Sequence, residues 1–108
     1  RKHKGVDIKA PRHTPVLAVI DGHIEAVREG GNGGRTVYLR GVDGVQYFYA
    51  HLEDWLVAAN EEVDAGQAIA TVGNSGNASR TIPHLHFEII TGKERTSVDP
   101  LPYLERAR

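Results

Sequence analysis

The chain has 108 residues, of which 40% are hydrophobic and 25% charged, and its formal net charge is -1. These values are typical of one globular domain, and the balanced charge excludes the basic surface on which nucleic-acid binding depends. No apolar stretch reaches the ~20 residues of a membrane span, and the absence of cysteine excludes disulfides and thiolate metal sites. We expect a single domain, residues 1–108, excised from a longer precursor.

Short apolar runs separated by turn residues follow one another along the chain. The predicted strands are residues 16–20, 24–27, 36–40, 45–50, 68–73 and 84–90. The dipeptide Asp43-Gly44 between the third and fourth runs predicts a β-hairpin. Residues 53–62 are the one helix-like stretch, long enough for a turn or two. The pattern predicts an all-β, antiparallel sandwich or barrel-like fold with little helix.

The densest group of polar side chains lies in the last predicted strand. Because side chains alternate between the two faces of a strand, His84, His86 and Glu88 share one face and Leu85 and Phe87 the other. Two imidazoles on a rigid strand suit metal binding or acid–base chemistry. A half-exposed strand that carries two histidines by chance has the same pattern.

A second candidate group lies near the start of the chain. His3 and Asp7 are four residues apart, on one side of either a strand or a helix, with Gly5 between them. An imidazole and a carboxylate are both zinc ligands. A solvated histidine beside an aspartate is the alternative interpretation.

A third candidate, His51, ends an aromatic-rich strand. Counting by alternation places His51 on the same face as Tyr47 and Tyr49, where a histidine is usually structural. Together with one histidine of the later pair, however, His3 and Asp7 make three protein ligands. Three ligands with an open fourth position are typical of a catalytic zinc site.

The motifs occur in an order that resembles the lysostaphin-type peptidases, also called M23 or LytM-like metallopeptidases. They are His3-x-Gly5-x-Asp7, Ala18-x-x-Asp21-Gly22, Tyr49-Ala50-His51-Leu52, Gly66-Gln67-x-Ile69, Val72-Gly73-Asn74-Ser75-Gly76 and Pro83-His84-Leu85-His86-Phe87-Glu88. Each motif is modest alone, but the ordered set covers nearly the whole chain and is highly specific.

The resemblance implies a role for each matching position. His3, Asp7 and His86 are expected to bind Zn²⁺, and His51 and His84 to be the two catalytic histidines. The implied fold is the LytM type, a duplicated hybrid motif. The implied activity is hydrolysis of peptide cross-links or stem peptides of bacterial peptidoglycan, in the cell envelope. The bond that is cut, the assignment of the base between the two histidines and the oligomeric state stay open.

Two turn positions depart from the family pattern. His13 stands where glycine is usual before Thr-Pro-Val, and Asn60 replaces the glycine of a Val-x-x-Gly turn. The second change is mild, because asparagine tolerates a left-handed backbone. Neither change removes an expected ligand.

Two other functions are consistent with parts of the sequence. The first is a non-catalytic LytM-like module that binds or activates a cell-wall hydrolase; the presence of all five expected site residues argues against it. The second is a lipoyl-like carrier or a sugar phosphotransferase domain. A carrier needs a lysine at a hairpin tip, which this sequence lacks, and a phosphohistidine domain would not need His3 and Asp7.

Overall fold

Antiparallel β-strands make up the architecture of the chain. The computed structural model describes residues 5–76, 81–91 and 96–98. The strands are β1 Val6–Lys9, β2 Pro15–Leu17, β3 Gly22–Gly30, β4 Gly34–Gly41, β5 Gln46–Trp55, β6 Glu62–Val63, β7 Ala68–Val72, β8 His84–Thr91 and β9 Thr96–Val98. No α-helix occurs in the described ranges, so no helix there could cross a membrane. The all-β, antiparallel prediction is confirmed.

Strand β5 organises the sheet because one of its edges is shared by two neighbours. The main strand order is β1-β8-β5-β4-β3-β6, with β7 joining β2 to β5 and β9 pairing with β8. On one side β5 pairs with β4. On the other, residues 46–50 pair with β8, whereas Leu52 and Trp55 pair with β7. The ends of β7 and β8 therefore meet beside His51.

The hydrophobic core lies against one face of β5 and β8. Tyr47, Tyr49, Phe87 and Ile89 are each at most 1% exposed. The ring of Phe87 meets Tyr49 edge-on, with centroids 5.1 Å apart, a favourable geometry for an aromatic pair. Burial of these large side chains fixes which face of each strand points outward, because alternation then directs the other residues away from the core.

The helix-like interpretation of residues 53–62 is wrong. Strand β5 continues to Trp55, and the chain then turns into the short strand β6. The indole N–H of Trp55 donates to the carbonyl of Thr36 at 3.0 Å. Pairing with β7 and this cross-strand hydrogen bond outweigh the weak helical preference of the segment.

Smaller differences concern strand ends and turns. The predicted hairpin over residues 36–50 is present as β4–β5. The run at 16–20 is a strand only as far as Leu17, after which the chain bends. His13 and Asn60 both adopt left-handed backbone, with φ of 75° and 74°. The turns therefore keep the conformation that glycine would favour at both positions.

Candidate metal and catalytic site

The pairing of β1 with β8 brings together two of the predicted zinc ligands. Asp7 lies directly opposite His86 in the antiparallel register, and opposite residues in such a pair share a face. Asp7 Oδ1 is 2.6 Å from His86 Nδ1. An oxygen and a nitrogen donor are therefore adjacent, and both are donors that zinc accepts.

The second ring nitrogen of His86 contacts Glu88. His86 Nε2 lies 2.6 Å from Glu88 Oε2, and both side chains are largely buried. The hydrogen bond to Glu88 raises the pKa of His86; burial opposes this, and Asp7 adds to it. The sequence placed Glu88 on the site face but gave it no role. Its spacing of two residues from His86 on a strand was the available signal.

The face predicted for His51 is wrong because β5 contains a bulge. Val37 pairs with Tyr49, but Arg35 pairs with Leu52, so two residues of β5 lie opposite one residue of β4. Such an extra residue defines a β-bulge and re-aims the side chains around it. His51 has φ of 64°, and its ring lies beside the histidines of β8 instead of on the core face of Tyr49.

The rings of His51 and His84 lie close together. Their centroids are 5.0 Å apart with an interplanar angle of 57°, and His51 is 6.1 Å from His86. His51 Nδ1 is 2.8 Å from the carbonyl oxygen of Ser75, and His84 Nδ1 is 3.0 Å from that of Ile82. Since a carbonyl only accepts, each neutral ring carries its proton on Nδ1 and leaves Nε2 unprotonated.

Burial lowers the pKa of His51, and the nearby His84 and His86 lower it further. The carbonyl of Ser75 acts in the opposite direction, as does Asp7. A buried imidazole beside other imidazoles disfavours the charged form. These effects together favour the neutral form of the His51 ring.

Four of the five predicted site residues are placed near one another. Asp7 contacts His86, and the rings of His51, His84 and His86 form one group. The prediction for His3 falls outside the described residues. Within 5–76, 81–91 and 96–98, no group of three or more histidine, aspartate or glutamate side chains is arranged to hold a metal. The roles assigned to all five residues stay predictions.

Comparison of the sequence with protein families gives a match to Peptidase family M23 over residues 1–100. A protein of Haemophilus influenzae described as an uncharacterized metalloprotease is 44% identical over 103 residues, 94% of this chain and 21% of that protein. The glycyl-glycine endopeptidase ALE-1 of Staphylococcus capitis is 39% identical over 109 residues, 97% of this chain and 30% of the relative.

A third relative has a different described role. The murein hydrolase activator NlpD of Escherichia coli is 38% identical over 104 residues, 94% of this chain and 26% of the relative. The chain thus spans 21–30% of the length of these three curated relatives.

Solved structures share the fold. The catalytic domain of the antimicrobial peptidase lysostaphin from Staphylococcus simulans has a TM-score of 0.87 and 34% identity, covering 95% of this chain and 79% of that domain. A zinc-containing peptidase from Vibrio cholerae has a TM-score of 0.80 and 32% identity, covering 89% of this chain and 28% of that protein. The predicted LytM-type fold is confirmed.

Proposed function

The chain belongs to Peptidase family M23, and from this premise we propose that it is a zinc-dependent endopeptidase that hydrolyses peptide cross-links or stem peptides of bacterial peptidoglycan. The observation that carries the proposal is the contact of Asp7 with His86 beside the ring pair of His51 and His84. Asp7 and His86 offer atoms that can bind a metal, and His51 and His84 offer unprotonated imidazole nitrogens. Relatives described as endopeptidases support the reaction class.

The metal half of the site consists of Asp7, His86 and, by the motif, His3. When bound, zinc supplies polarisation of the scissile carbonyl and activation of water. His86 has to lose its Nδ1 proton to act as a ligand, while its Nε2–H donates to Glu88. A carboxylate that accepts from the second nitrogen of a ligating histidine fixes its tautomer and orientation. Glu88 is therefore proposed as the residue that orients His86.

The proton-transfer half consists of His51 and His84. Each Nε2 can accept a proton from the attacking water, because each Nδ1–H is already donated to a backbone carbonyl. Once protonated, either ring can donate to the oxyanion or to the leaving amine. The lowered pKa of His51 keeps its base form available below the reference histidine pKa of ~6.5.

We place the protein in the cell envelope, because its proposed substrate is the peptide portion of peptidoglycan. The relatives named as a glycyl-glycine endopeptidase and as a murein hydrolase activator are consistent with action at the wall. Fractionation of the source cells with an antibody to this chain tests the location; recovery in the cytoplasmic fraction alone would contradict it.

Elemental analysis of the purified protein, combined with digestion of peptidoglycan, tests the enzymatic proposal. Purified wall with glycine bridges and wall with directly cross-linked stem peptides should be incubated in parallel, and the released peptides identified by mass spectrometry. We expect about one zinc per chain and new peptide termini from one of the substrates. Removal of zinc by a chelator should stop release, and added zinc should restore it.

A non-catalytic module that activates a cell-wall hydrolase is the second candidate, favoured by the similarity to NlpD. Its signature would be different. The purified protein would release no peptide from either wall, with or without zinc, but would accelerate a separate amidase or endopeptidase. A zinc-dependent appearance of new peptide termini from the chain alone would exclude this candidate.

A further inference from the structure

The bulge that presents His51 leaves a gap in the β4–β5 ladder, and a serine side chain fills it. Ser75 lies in the loop after β7. Its hydroxyl oxygen accepts from the backbone N–H of Arg35 at 3.0 Å and donates to the carbonyl of Leu52 at 2.7 Å. Arg35 and Leu52 are the register pair on one side of the bulge. The hydroxyl is therefore inserted between two strands where the extra residue interrupts their pairing.

The same serine fixes the ring of His51. Its carbonyl oxygen is the partner of His51 Nδ1 at 2.8 Å. The backbone of His51 is held as well: its N–H donates to Gly33 O at 2.9 Å, and its carbonyl accepts from Gly73 N at 3.1 Å. A left-handed backbone at a histidine is costly and persists only where surrounding contacts impose it. The contacts from Gly33, Gly73 and Ser75 are the ones that impose it here.

Two glycines allow Ser75 to come this close. Gly34 and Gly76 both have left-handed backbone, with φ of +69° and +72°. A Cβ on Gly34 would lie 2.5 Å from the Ser75 carbonyl carbon, and a Cβ on Gly76 would collide with the backbone of Asn32. The close approach of the two loops therefore requires residues without side chains at both positions.

We propose that Ser75 is a positioning residue for His51. The Ser75 hydroxyl holds His51 in the bulge, and the Ser75 carbonyl holds the His51 ring in the Nδ1–H tautomer. Gly34 and Gly76 permit this close contact. Ser75 does not touch the reacting atoms; it acts by keeping Nε2 of His51 unprotonated and fixed in direction. The effect on turnover rests on the proposed peptidase function. The effect on the ring of His51 does not, because it is a property of the folded protein.

Substitution of the serine tests the proposal with two independent measurements. Ser75→Ala removes the hydroxyl that bridges Arg35 and Leu52, and Ser75→Thr keeps a hydroxyl. We expect Ser75→Ala to lower kcat by ~10-fold or more, as small misplacements of a catalytic group do, with KM and zinc content unchanged. Long-range ¹⁵N–¹H spectra should show His51 of this variant as a mixture of tautomers. Ser75→Thr should restore the single Nδ1–H form.

Matched controls separate positioning from a general loss of stability. Thr71→Val removes another hydroxyl that bonds β5, the one that accepts from Asp54 N at 3.2 Å; it should leave kcat and the His51 spectrum unchanged. Gly34→Ala should lower kcat, whereas Gly31→Ala should not. Gly31 has the same φ of +69°, but a Cβ there would meet nothing within 4 Å.

The outcomes distinguish failure of the positioning role from failure of the enzymatic proposal. A folded Ser75→Ala protein with the His51 spectrum of the unaltered protein and full kcat overturns the positioning role. If Ser75→Ala does not fold, the pair Gly34→Ala and Gly31→Ala decides it: equal effects on the His51 spectrum overturn the role. If the unaltered protein releases no peptide from peptidoglycan, the enzymatic proposal fails, while the His51 spectra still support or overturn the role of Ser75.

Discussion

Asp7 and His86 are 79 residues apart in the sequence, yet Asp7 Oδ1 lies 2.6 Å from His86 Nδ1. The backbone register alone brings them together, since Asp7 pairs directly with His86 between β1 and β8. Opposite residues of an antiparallel pair have Cβ atoms ~4.5–5.5 Å apart on one face. The main-chain pairing of β1 with β8 therefore holds the carboxylate of Asp7 beside the ring of His86.

Loss of either donor should remove zinc. We expect Asp7→Ala and His86→Ala each to reduce bound zinc far below one per chain, because a catalytic zinc site has only three protein ligands. Elemental analysis after gel filtration measures this. Asp64→Ala, on the surface away from the site, is the matched aspartate control and should retain zinc. Full zinc content in His86→Ala would show that the metal assignment is wrong.

Loss of either neighbouring histidine should act on turnover instead. We expect His51→Ala and His84→Ala to keep zinc but to lower kcat by ~10²-fold or more, the usual loss for an acid–base or oxyanion group. His23→Ala, an exposed histidine of β3, should match the unaltered protein. Kinetics on a defined wall peptide, with zinc measured on the same samples, separates the two effects. Undiminished kcat in His51→Ala would contradict its catalytic role.

The stability of the metal-free protein should depend on pH through His86. Its pKa is raised above the unfolded value by Glu88 and Asp7. The folded state therefore binds a proton more tightly than the unfolded chain, and this stabilisation is complete below pH ~6.5 and lost as pH rises through the folded pKa. The free energy of unfolding lost on His86→Asn should be larger at pH 6 than at pH 8.5.

Glu88→Gln is the control for that measurement. It keeps the shape of the side chain but removes the carboxylate, whose hydrogen bond to His86 is the largest cause of the raised pKa, so the difference between the two pH values should shrink. An identical pH dependence in Glu88→Gln would show that Glu88 does not set the protonation of His86.

The same competition should govern zinc. A proton on His86 excludes the metal, so the apparent zinc affinity should fall as pH decreases, beginning above the reference value of ~6.5. We expect activity to decline below about pH 6, as ligand histidines protonate. Chelator competition between pH 5 and 8 measures the affinity. Unchanged zinc content and activity at pH 4.5 would contradict this expectation.

The left-handed turn at His13 is a site for stabilisation. His13 has φ of 75°, a conformation that costs a non-glycine residue ~1–3 kcal/mol. Glycine avoids this cost, but part of the gain is offset because glycine makes the unfolded chain more flexible. We expect His13→Gly to raise the free energy of unfolding by about 0.5–1 kcal/mol. Asn60→Gly, at φ of 74°, should change little, because asparagine already tolerates this backbone. Equal effects in denaturant titrations would refute the explanation.

Alternation along a single strand was enough to predict which side chains of β8 face the candidate site. His84, His86 and Glu88 lie on one face of β8 because Leu85 and Phe87 are buried on the other. The hairpin of β4 and β5 followed from its Asp-Gly turn. These features depend on local patterns that a sequence displays directly.

The position of His51 depended on features that no local sequence pattern displays. A bulge shifts alternation by one residue, so His51 is on the opposite face from the one counted. The bulge in turn rests on Ser75, which comes from a distant loop. The helix prediction for residues 53–62 was wrong for a related reason, since the first part of this segment, up to Trp55, is a strand that pairs with β7. Long-range hydrogen bonds, not local preference, decided these positions.

Among the described residues, strand β1 lies at one end of the main sheet order, with β8 as its one neighbour. Edge strands with few neighbours open more readily than central ones, and opening of β1 would carry Asp7 away from His86 while leaving the core strands in place. A metal bound by both Asp7 and His86 would thus stabilise the pairing of β1 with β8. Amide exchange at residues 6–9 should slow on addition of zinc, which would report occupancy without any substrate.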